Sequence, residues 1–220
     1  MATKDVIEIP ALKTELMTLR LVGDTSLICH AWSEKAKAMM LEKQQKKASK
    51  AKEIRRPAVE FADSLYWLTP KPNFTGLTDE KAQKILADII PESKFGFPTT
   101  AFKAAALDGS FQQGILASKA GTNQLAKTTA RGAFHIIGEF AEIEGTPTIR
   151  EDIARIGMGT ADLRYRAEFK EWATTLTIRF NTSAISVEQI VNLFNVGGFS
   201  NGVGEYRSAR GGDYGAFHVG

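Results

Sequence analysis

A chain of 220 residues is long enough to bury one hydrophobic core, and 43% hydrophobic with 24% charged residues argues against global disorder. The single cysteine, Cys29, excludes an intramolecular disulfide, and no group of cysteines and histidines has zinc-ligand spacing, so we expect neither a metal nor a cofactor. A formal net charge of +3 is too small to predict a nucleic-acid partner from overall charge alone.

The first ten residues contain Asp5 and Glu8 among apolar side chains, and they lack the basic start and apolar run of a secretory signal. No stretch of the sequence is apolar over the length that a transmembrane helix needs. One unpaired cysteine suits a reducing compartment. We therefore expect a cytoplasmic protein with no membrane partner.

The first predicted strand covers residues 17–22, where apolar and polar side chains alternate, and Gly23 ends it. Ser33 is a predicted N-cap for a helix whose apolar side disappears after Leu41. In the run 43–56 that follows, seven basic residues oppose one glutamate. We expect this run to be a solvated face that could also serve as an electrostatic arm toward phosphates, through Lys46, Lys47, Lys50, Lys52, Arg55 and Arg56.

The stretch 57–131 is interpreted as an irregular and partly helical insertion. Thr78 is the predicted N-cap of a helix with apolar residues at helical spacing, and Pro91 ends that helix. A second short helix is predicted to follow Pro98 and to end at Asp108. The remainder gives weak signals and is interpreted as a loop.

Three further strands are predicted in the second half of the chain. Residues 134–143 indicate a long strand with a bulge at Gly138. Residues 176–180 show the most regular alternation of apolar and polar side chains. Residues 214–219 indicate a short final strand.

A helix is predicted before that last strand, because Ser186 and Gln189 form a capping box, and Gly197 is expected to end it. The resulting order predicts an α+β fold with a ferredoxin-like (RRM-like) β-α-β-β-α-β core. We expect one domain of 220 residues, with insertions at about 57–131 and at 145–173.

The strongest local pattern is the glycine-rich run from residue 197 to residue 220. Glycine lets a backbone approach a ligand closely, and arginine carries a fork of donors that matches phosphate oxygens. The run therefore predicts a loop that binds a nucleic-acid backbone through Arg207, Arg210, Gly202, Gly204, Gly211 and Gly212. The alternative is a tight connection between helix and strand whose arginines face water.

Two segments resemble the RAMP superfamily, and within it the backbone subunits of CRISPR effector complexes. Gly-Val-Gly-Glu-Tyr-Arg at 202–207, followed by Arg-Gly-Gly-Asp-Tyr-Gly-Ala-Phe at 210–217, resembles the superfamily's glycine-rich signature. Phe-Pro-Thr-Thr-Ala-Phe-Lys at 97–103 is similar to the family's Ile-Pro-Gly-Ser-Ser-Leu-Lys-Gly segment, with Thr99 in place of the first glycine. The resemblance implies that Lys103 lies in a helix that faces bound RNA.

The resemblance also implies that the insertion at 145–173 is a thumb that reaches over the nucleic acid of the next subunit. Its arginines are interleaved with an aromatic residue, a pattern suited to phosphate contact and base stacking: Arg150, Arg155, Arg164, Tyr165 and Arg166. A surface hairpin with solvated charges is the alternative. Because backbone subunits of the family polymerise along RNA, a homo-oligomer or helical filament is implied.

Catalysis is not predicted. His30, His135 and His218 are each interpreted as a partly buried structural histidine, because none has a partner at a recognisable spacing. His30 is the strongest exception, since it closely follows the first strand. Relatives with this fold include RNA-processing endoribonucleases that use histidine, so cleavage with His30 or His135 as general base is an alternative function.

The leading interpretation is a non-catalytic protein that binds single-stranded RNA or DNA with weak sequence specificity. A third interpretation is an interaction protein that mimics a CRISPR subunit. The segment 25–35 is similar to segments of small proteins encoded by tailed phages. That similarity implies a phage protein, which would lie in the host cytoplasm, and it implies no function. A host or phage nucleoprotein complex is the partner that the third interpretation allows.

Overall fold

A computed structural model of the chain describes residues 11–32, 34–45, 54–121, 123–156 and 160–220. The strands are β1 (Thr14–Gly23), β2 (Leu27–Cys29), β3 (Tyr66–Trp67), β4 (Phe95–Pro98), β5 (Phe134–Ile136), β6 (Phe140–Glu144), β7 (Pro147–Ile156), β8 (Thr160–Phe169), β9 (Ala173–Asn181) and β10 (Phe217–Val219). The α-helices are α1 (Glu34–Gln44), α2 (Pro57–Ser64), α3 (Asp79–Ile89), α4 (Thr99–Gln112), α5 (Lys127–Ala133) and α6 (Val187–Ser200). Short 3₁₀ helices cover Ile90–Glu92 and Ser208–Arg210.

The strands form two antiparallel sheets. Among the described residues, the main sheet has seven strands in the order β10-β1-β9-β6-β4-β3, and β5 pairs with β9 as well. The second sheet has the order β2-β8-β7, and β7 and β8 form a hairpin of two ten-residue strands. The long insertion before β5 therefore adds β3 and β4 to one edge of the main sheet, and the insertion after β6 builds the hairpin.

The core of the fold is ferredoxin-like. β1, α4, β5 with β6, β9, α6 and β10 follow one another as β-α-β-β-α-β, and their strands lie side by side in the order 4-1-3-2. All pairings within this core are antiparallel. Each of its two β-α-β units connects strands that have one other strand between them, and that intervening strand runs in the opposite direction. The α+β class and the ferredoxin-like core predicted from the sequence are confirmed.

The first helix of the core is α4, and the prediction that the helix after Ser33 fills this place is wrong. In α1 the apolar residues Met39, Met40 and Leu41 are exposed, so the helix has little surface with which to cover a sheet. By contrast, α4 buries Phe102 completely. Ser33 itself lies outside the described residues.

The predicted starts of two helices are confirmed, whereas two predicted ends are wrong. Thr78 caps α3 by accepting a hydrogen bond from the Lys81 backbone, and Ser186 caps α6 in a complete capping box. However, α4 continues past Asp108, and α6 continues past Gly197. Gly197 does not end its helix, because its missing side chain lets α6 lie directly on the α4 backbone.

The long strand predicted at residues 134–143 is divided into β5 and β6 at the expected bulge. Gly138, with φ of 93°, takes a left-handed conformation that favours glycine, and Ile137 still donates a backbone hydrogen bond to Thr177 in β9. Residues interpreted as a loop before this strand contain the short helix α5. This helix has only seven residues, too few to show a helical period in the sequence.

The hydrophobic core lies between the main sheet and the helices α4 and α6. Phe102 of α4 packs against Trp172 and against Phe217 of β10, with ring centroids 6.3 and 5.9 Å apart. Cys29 of β2 is fully buried, and this burial raises the pKa of its thiol. Within the described ranges, no helix has both the length and the apolar character needed to cross a bilayer.

Replacing Gly197 by alanine should destabilise the protein by about 1–3 kcal/mol, because the new Cβ would lie 2.5 Å from the carbonyl oxygen of Ala105. Gly132→Ala is the matched control, since nothing lies within 4 Å of its Cβ position. Alanine is the better helix former, so the control should be neutral or stabilising. Urea unfolding measures both free energies, and equal effects would contradict the packing argument.

Candidate nucleic-acid interface

The two segments that resemble the RAMP superfamily lie on opposite sides of one open groove. The cavity volume is about 780 Å³. Pro98 and Thr100 line the side formed by the start of α4, and Arg207 and Arg210 line the side formed by the loop after α6. About 100 residues of sequence separate the two segments, and the contact between α4 and α6 brings them together.

The glycines of the loop are explained by close packing within the protein. Gly204 has φ of 82°, and a Cβ there would lie 2.6 Å from the carbonyl oxygen of Ile28. The backbone of Gly212 lies against that of Tyr206, and Gly202 lies against the Tyr214 carbonyl group. Such contacts are expected of a tight connection between α6 and β10, which was the alternative interpretation of this glycine-rich run. Gly211, by contrast, has open space at its Cβ position, so its backbone is accessible at the rim.

Two guanidinium groups of the groove, those of Arg207 and Arg210, form no ion pair with a described carboxylate, although Arg207 is near enough to Glu205 to help lower the pKa of that carboxyl. His30 lies 3.1 Å from Glu205, and Lys127 lies 2.7 Å from Asp108. The hydrogen bond from His30 holds the pKa of Glu205 below its usual range, although partial burial acts in the opposite direction. Arg207 donates to the carbonyl oxygen of Gly204 at 2.9 Å, and no ion pair joins Arg207 or Arg210 to a described carboxylate.

Aromatic rings also line the groove. Tyr66 and Phe97 make an edge-to-face contact with centroids 5.5 Å apart. Phe111 is partly exposed, and the Lys127 ammonium lies 4.8 Å from its ring centroid. Partial burial raises the pKa of Tyr66, so its phenol stays protonated at neutral pH. The groove thus combines cations with rings, as sites for unpaired nucleotides do.

Two arginines of the β7–β8 hairpin hold the tyrosines of the loop. Arg150 lies over the ring of Tyr214 at 4.6 Å and donates to its hydroxyl group at 3.2 Å. Arg166 lies over the ring of Tyr206 at 5.3 Å and donates to its hydroxyl group at 3.2 Å. Asp152 accepts from both arginines, at 2.8 and 3.1 Å. We call these contacts the arginine–tyrosine clamp.

The clamp corrects the prediction for two arginines of the thumb. Arg166 is only 4% exposed, so it cannot contact an external strand in this conformation. Arg150 is occupied by Asp152 and Tyr214, and also by Glu168 at 3.1 Å. Their role in the structure is to fix the hairpin against the loop. The even-numbered residues of β7 and β8 lie on one face of the hairpin, because Arg150 pairs with Arg166 in the register. Both arginines and Asp152 therefore point to the same side, toward the loop.

The remaining residues of the predicted thumb differ in accessibility. The Arg164 side chain is 39% exposed, and its nearest ion-pair contact, to Asp162, is long at 3.9 Å. Tyr165 is hydrogen-bonded to Glu151, and that bond raises the pKa of the phenol. Arg155 belongs to β7, but its side chain lies outside the described residues. Arg164 and Tyr165 therefore remain predicted contacts.

Three further cations predicted to bind nucleic acid have partners within the protein. Arg55 contacts Asp162 at 2.5 Å and Glu60 at 3.0 Å. Arg56 donates to the carbonyl oxygen of Leu77 at 2.6 Å. Lys103 donates to the carbonyl oxygens of Arg131 and Phe134, and burial lowers its pKa. The structure shows all three bound within the protein, and their contact with nucleic acid stays a prediction. The rest of the basic arm, Lys46, Lys47, Lys50 and Lys52, lies outside the described residues.

The three histidines are exposed, which corrects the expectation of partly buried positions. His30 lines the groove beside Glu205, and His218 pairs with Asp24 at 2.7 Å. His135 lies on the open face of the main sheet. Sequence reasoning did not place His30, Tyr66 or Lys127 in one groove with the arginines. No local signal could have done so, because only the tertiary fold joins His30 to Glu205, 175 residues away.

No protein-family model matches the sequence, and no curated protein matches it at a significant level. A crystal structure of Cmr6 from Pyrococcus furiosus aligns with a TM-score of 0.32 and 10% identity, over 96% of this chain and 100% of that chain. A chain of a CRISPR RNA-guided surveillance complex aligns with a TM-score of 0.35 and 9% identity, over 92% of this chain and 66% of that chain. Alignments at this level establish neither a family nor a function, so the RAMP resemblance stays a prediction.

Replacing Arg166 by methionine should lower the free energy of unfolding by about 3 kcal/mol, because Asp152 then loses a cation in a nearly dry network. Arg164→Met is the control on the same hairpin face. It disturbs a long contact to the buried Asp162, which keeps Arg55 as a partner, so its effect should stay below about 1 kcal/mol. Urea unfolding distinguishes the two, and equal losses would show that the clamp contributes no more than a surface pair.

Proposed function

We propose that the protein binds single-stranded nucleic acid, RNA or DNA, in the groove between the start of α4 and the loop after α6. The observation that carries this proposal is the pair of guanidinium groups, Arg207 and Arg210, which line an open groove and form no ion pair with a described carboxylate. Guanidinium groups match the oxygens of a phosphodiester in geometry and charge.

The shape of the groove favours a flexible single strand as the ligand, rather than a duplex. Its volume of about 780 Å³ is of the size that small-molecule ligands occupy, so it accommodates individual nucleotides. Bases freed from pairing can stack on side chains such as Phe111 and Tyr66. Contacts to phosphates and to ring faces carry little sequence information, so the proposed binding is weakly specific. In this role the protein performs no chemistry.

Head-to-tail assembly along the strand is the second part of the proposal. It rests on the resemblance to subunits that polymerise, and the hairpin offers a surface for a second copy. Ile153 and Leu163 lie directly opposite each other in the hairpin register, and both are exposed. Heterologous contacts that do not close produce helical filaments. Electron microscopy of the protein with and without a long oligonucleotide tests this part, and single particles in both samples would reject it.

The double variant Arg207→Ala with Arg210→Ala should weaken oligonucleotide binding and leave the fold intact. Loss of two phosphate contacts should also reduce the slope of log K against log salt by about 1.4, at roughly 0.7 per contact on a single strand. Fluorescence anisotropy with labelled RNA and DNA strands at several salt concentrations measures both quantities.

A double variant of α3, Lys81→Ala with Lys84→Ala, is the matched control. It removes the same charge from two exposed lysines of a helix that does not line the groove. If the two double variants bind alike, general charge explains the binding and the groove does not. If the arginine variant binds as tightly as the parent at moderate salt, the proposed interface is wrong.

A second candidate function is cleavage of RNA in the same groove, and the contact between His30 and Glu205 favours it. A carboxylate beside a histidine orients the ring, and the histidine could then take the proton of a ribose 2′-hydroxyl group. The 2′-oxygen would attack the adjacent phosphorus, and the P–O5′ bond would break. Tyr66, which stays protonated, could give its proton to the departing 5′-oxygen.

His30→Ala should abolish cleavage if this candidate is right, while binding of a DNA strand should be retained. A substrate with one deoxyribose at the cleaved position should be bound and left intact, because it lacks the nucleophile. Gel analysis of labelled RNA, run without added divalent cations and with them, measures both. An intact RNA after incubation with the parent protein rejects cleavage and leaves the binding proposal standing.

A further inference from the structure

A second cavity, of about 290 Å³, lies at one end of the main sheet. It is enclosed by the first residues of β1, the last residues of β9 and the end of α5, where Gly132 and Ala133 line it. Arg179 of β9 and His135 of β5 are direct partners in the antiparallel register, so their side chains stand next to each other on the open face of the sheet.

The charge of this cavity is positive and uncompensated. Its lining contains Arg179 and His135 and no carboxylate, and none of the described acidic residues forms an ion pair with Arg179. On β1, Thr14 lines the cavity, whereas Glu15 alternates to the opposite face of the strand. One permanent cation, Arg179, thus lies beside an imidazole that can gain a proton, and no carboxylate lines the cavity.

The surroundings of His135 show the same excess. The nearby Lys103 ammonium of α4 lowers the pKa of this imidazole, and burial and Arg179 act in the same direction. Arg131 of α5 is exposed and lies beside Lys103, whose ammonium it disfavours. The charged groups that act on His135, Lys103 of α4 and Arg179 of β9, are therefore both basic, and β1 contributes the uncharged Thr14.

We propose that this cavity is a second phosphate-binding site, which holds a phosphodiester of the same strand that occupies the groove. Arg179 is its fixed charge, and His135 adds a second donor. This inference rests on the proposed function, because it assigns the site to a strand already bound elsewhere on the protein.

Helix α5 connects the two sites. Lys127 at its start lines the groove, and Ala133 at its end lines the second cavity. Six residues of helix advance about 9 Å, which a short run of nucleotides spans. Arg131 lies on this path, exposed and without an ion pair to any described carboxylate. The path between the cavities thus carries Arg131, while Lys127 at its start is paired with Asp108.

An anion next to His135 reverses the effect of its basic neighbours, so binding must raise the pKa of the imidazole. By linkage, the second site then binds more tightly as the pH falls through the range in which His135 gains its proton. The contribution of Arg179 stays constant over this range because a guanidinium does not titrate there.

Oligonucleotides of increasing length separate the second site from the groove. Arg179→Gln should leave the affinity for a dinucleotide unchanged and should weaken binding of a ten-nucleotide strand about tenfold, as expected for the loss of one charge-assisted hydrogen bond. Arg207→Gln should weaken binding of both. Lys84→Gln is the matched control, since it removes one charge from an exposed residue of α3. Arg179 is itself exposed, so its variant should fold, and circular dichroism checks this.

The outcomes distinguish the two proposals. If Arg179→Gln matches Lys84→Gln on the long strand while Arg207→Gln weakens binding, the second site is wrong and the proposed function stands. If Arg179→Gln also weakens binding of the dinucleotide tenfold, the two sites are not separate and the inference is overturned.

A measurement without nucleic acid tests the second site alone. Inorganic phosphate should shift the imidazole resonances of His135 in an NMR titration and raise its pKa, and Arg179→Gln should abolish both effects. His218 serves as the internal reference, since it lines neither cavity and already faces Asp24. If the parent binds no strand, the proposed function fails, and this titration decides whether an anion site exists. Unchanged His135 resonances at high phosphate would overturn the site.

Discussion

The close contact between α4 and α6 determines where the candidate site lies. Gly197 lets α6 lie directly on the backbone of α4, with the carbonyl oxygen of Ala105 at the position that a side chain would fill. The loop after α6 is thereby brought opposite the start of α4, and the groove is the space left between them. Helix packing inside the core, which involves no charged residue, thus positions Arg207 and Arg210.

Of the nominated cations whose side chains the structure describes, more than half are bound within the protein. Arg150 and Arg166 hold tyrosines, Arg55 holds two carboxylates, and Lys103 donates to backbone carbonyl groups. The charge available to a ligand is therefore much smaller than the number of basic residues suggests. In the proposed function it acts at two places, the groove and the end of the sheet, which suits a binder that holds a strand at few points. A protein with a net charge of only +3 can therefore still bind phosphate at a local site.

The sequence was most informative where structure is local. Alternation in residues 176–180 identified the central strand β9, and the Ser186 capping box located the start of α6 to the residue. It was least informative about arginines, because an exposed and a buried arginine look alike in a strand that alternates. The burial of Arg166 depends on Asp152 across the hairpin and on Tyr206, 40 residues later. Likewise, glycines needed for close packing cannot be separated by composition from glycines that approach a ligand.

The arginine–tyrosine clamp joins the β7–β8 hairpin to the loop after α6, so a change in one of these two segments affects the other. Tyr206 has a backbone φ of 51°, a left-handed conformation that is uncommon for residues other than glycine, and its ring contacts Arg166. A relative with a shorter β7–β8 hairpin would lack the arginines that contact Tyr206 and Tyr214. The loop after α6, which carries these tyrosines, would then be free to change as well. We therefore expect relatives of this protein to keep Arg150, Arg166, Tyr206 and Tyr214 together. Loss of all four would indicate a relative in which the groove has changed.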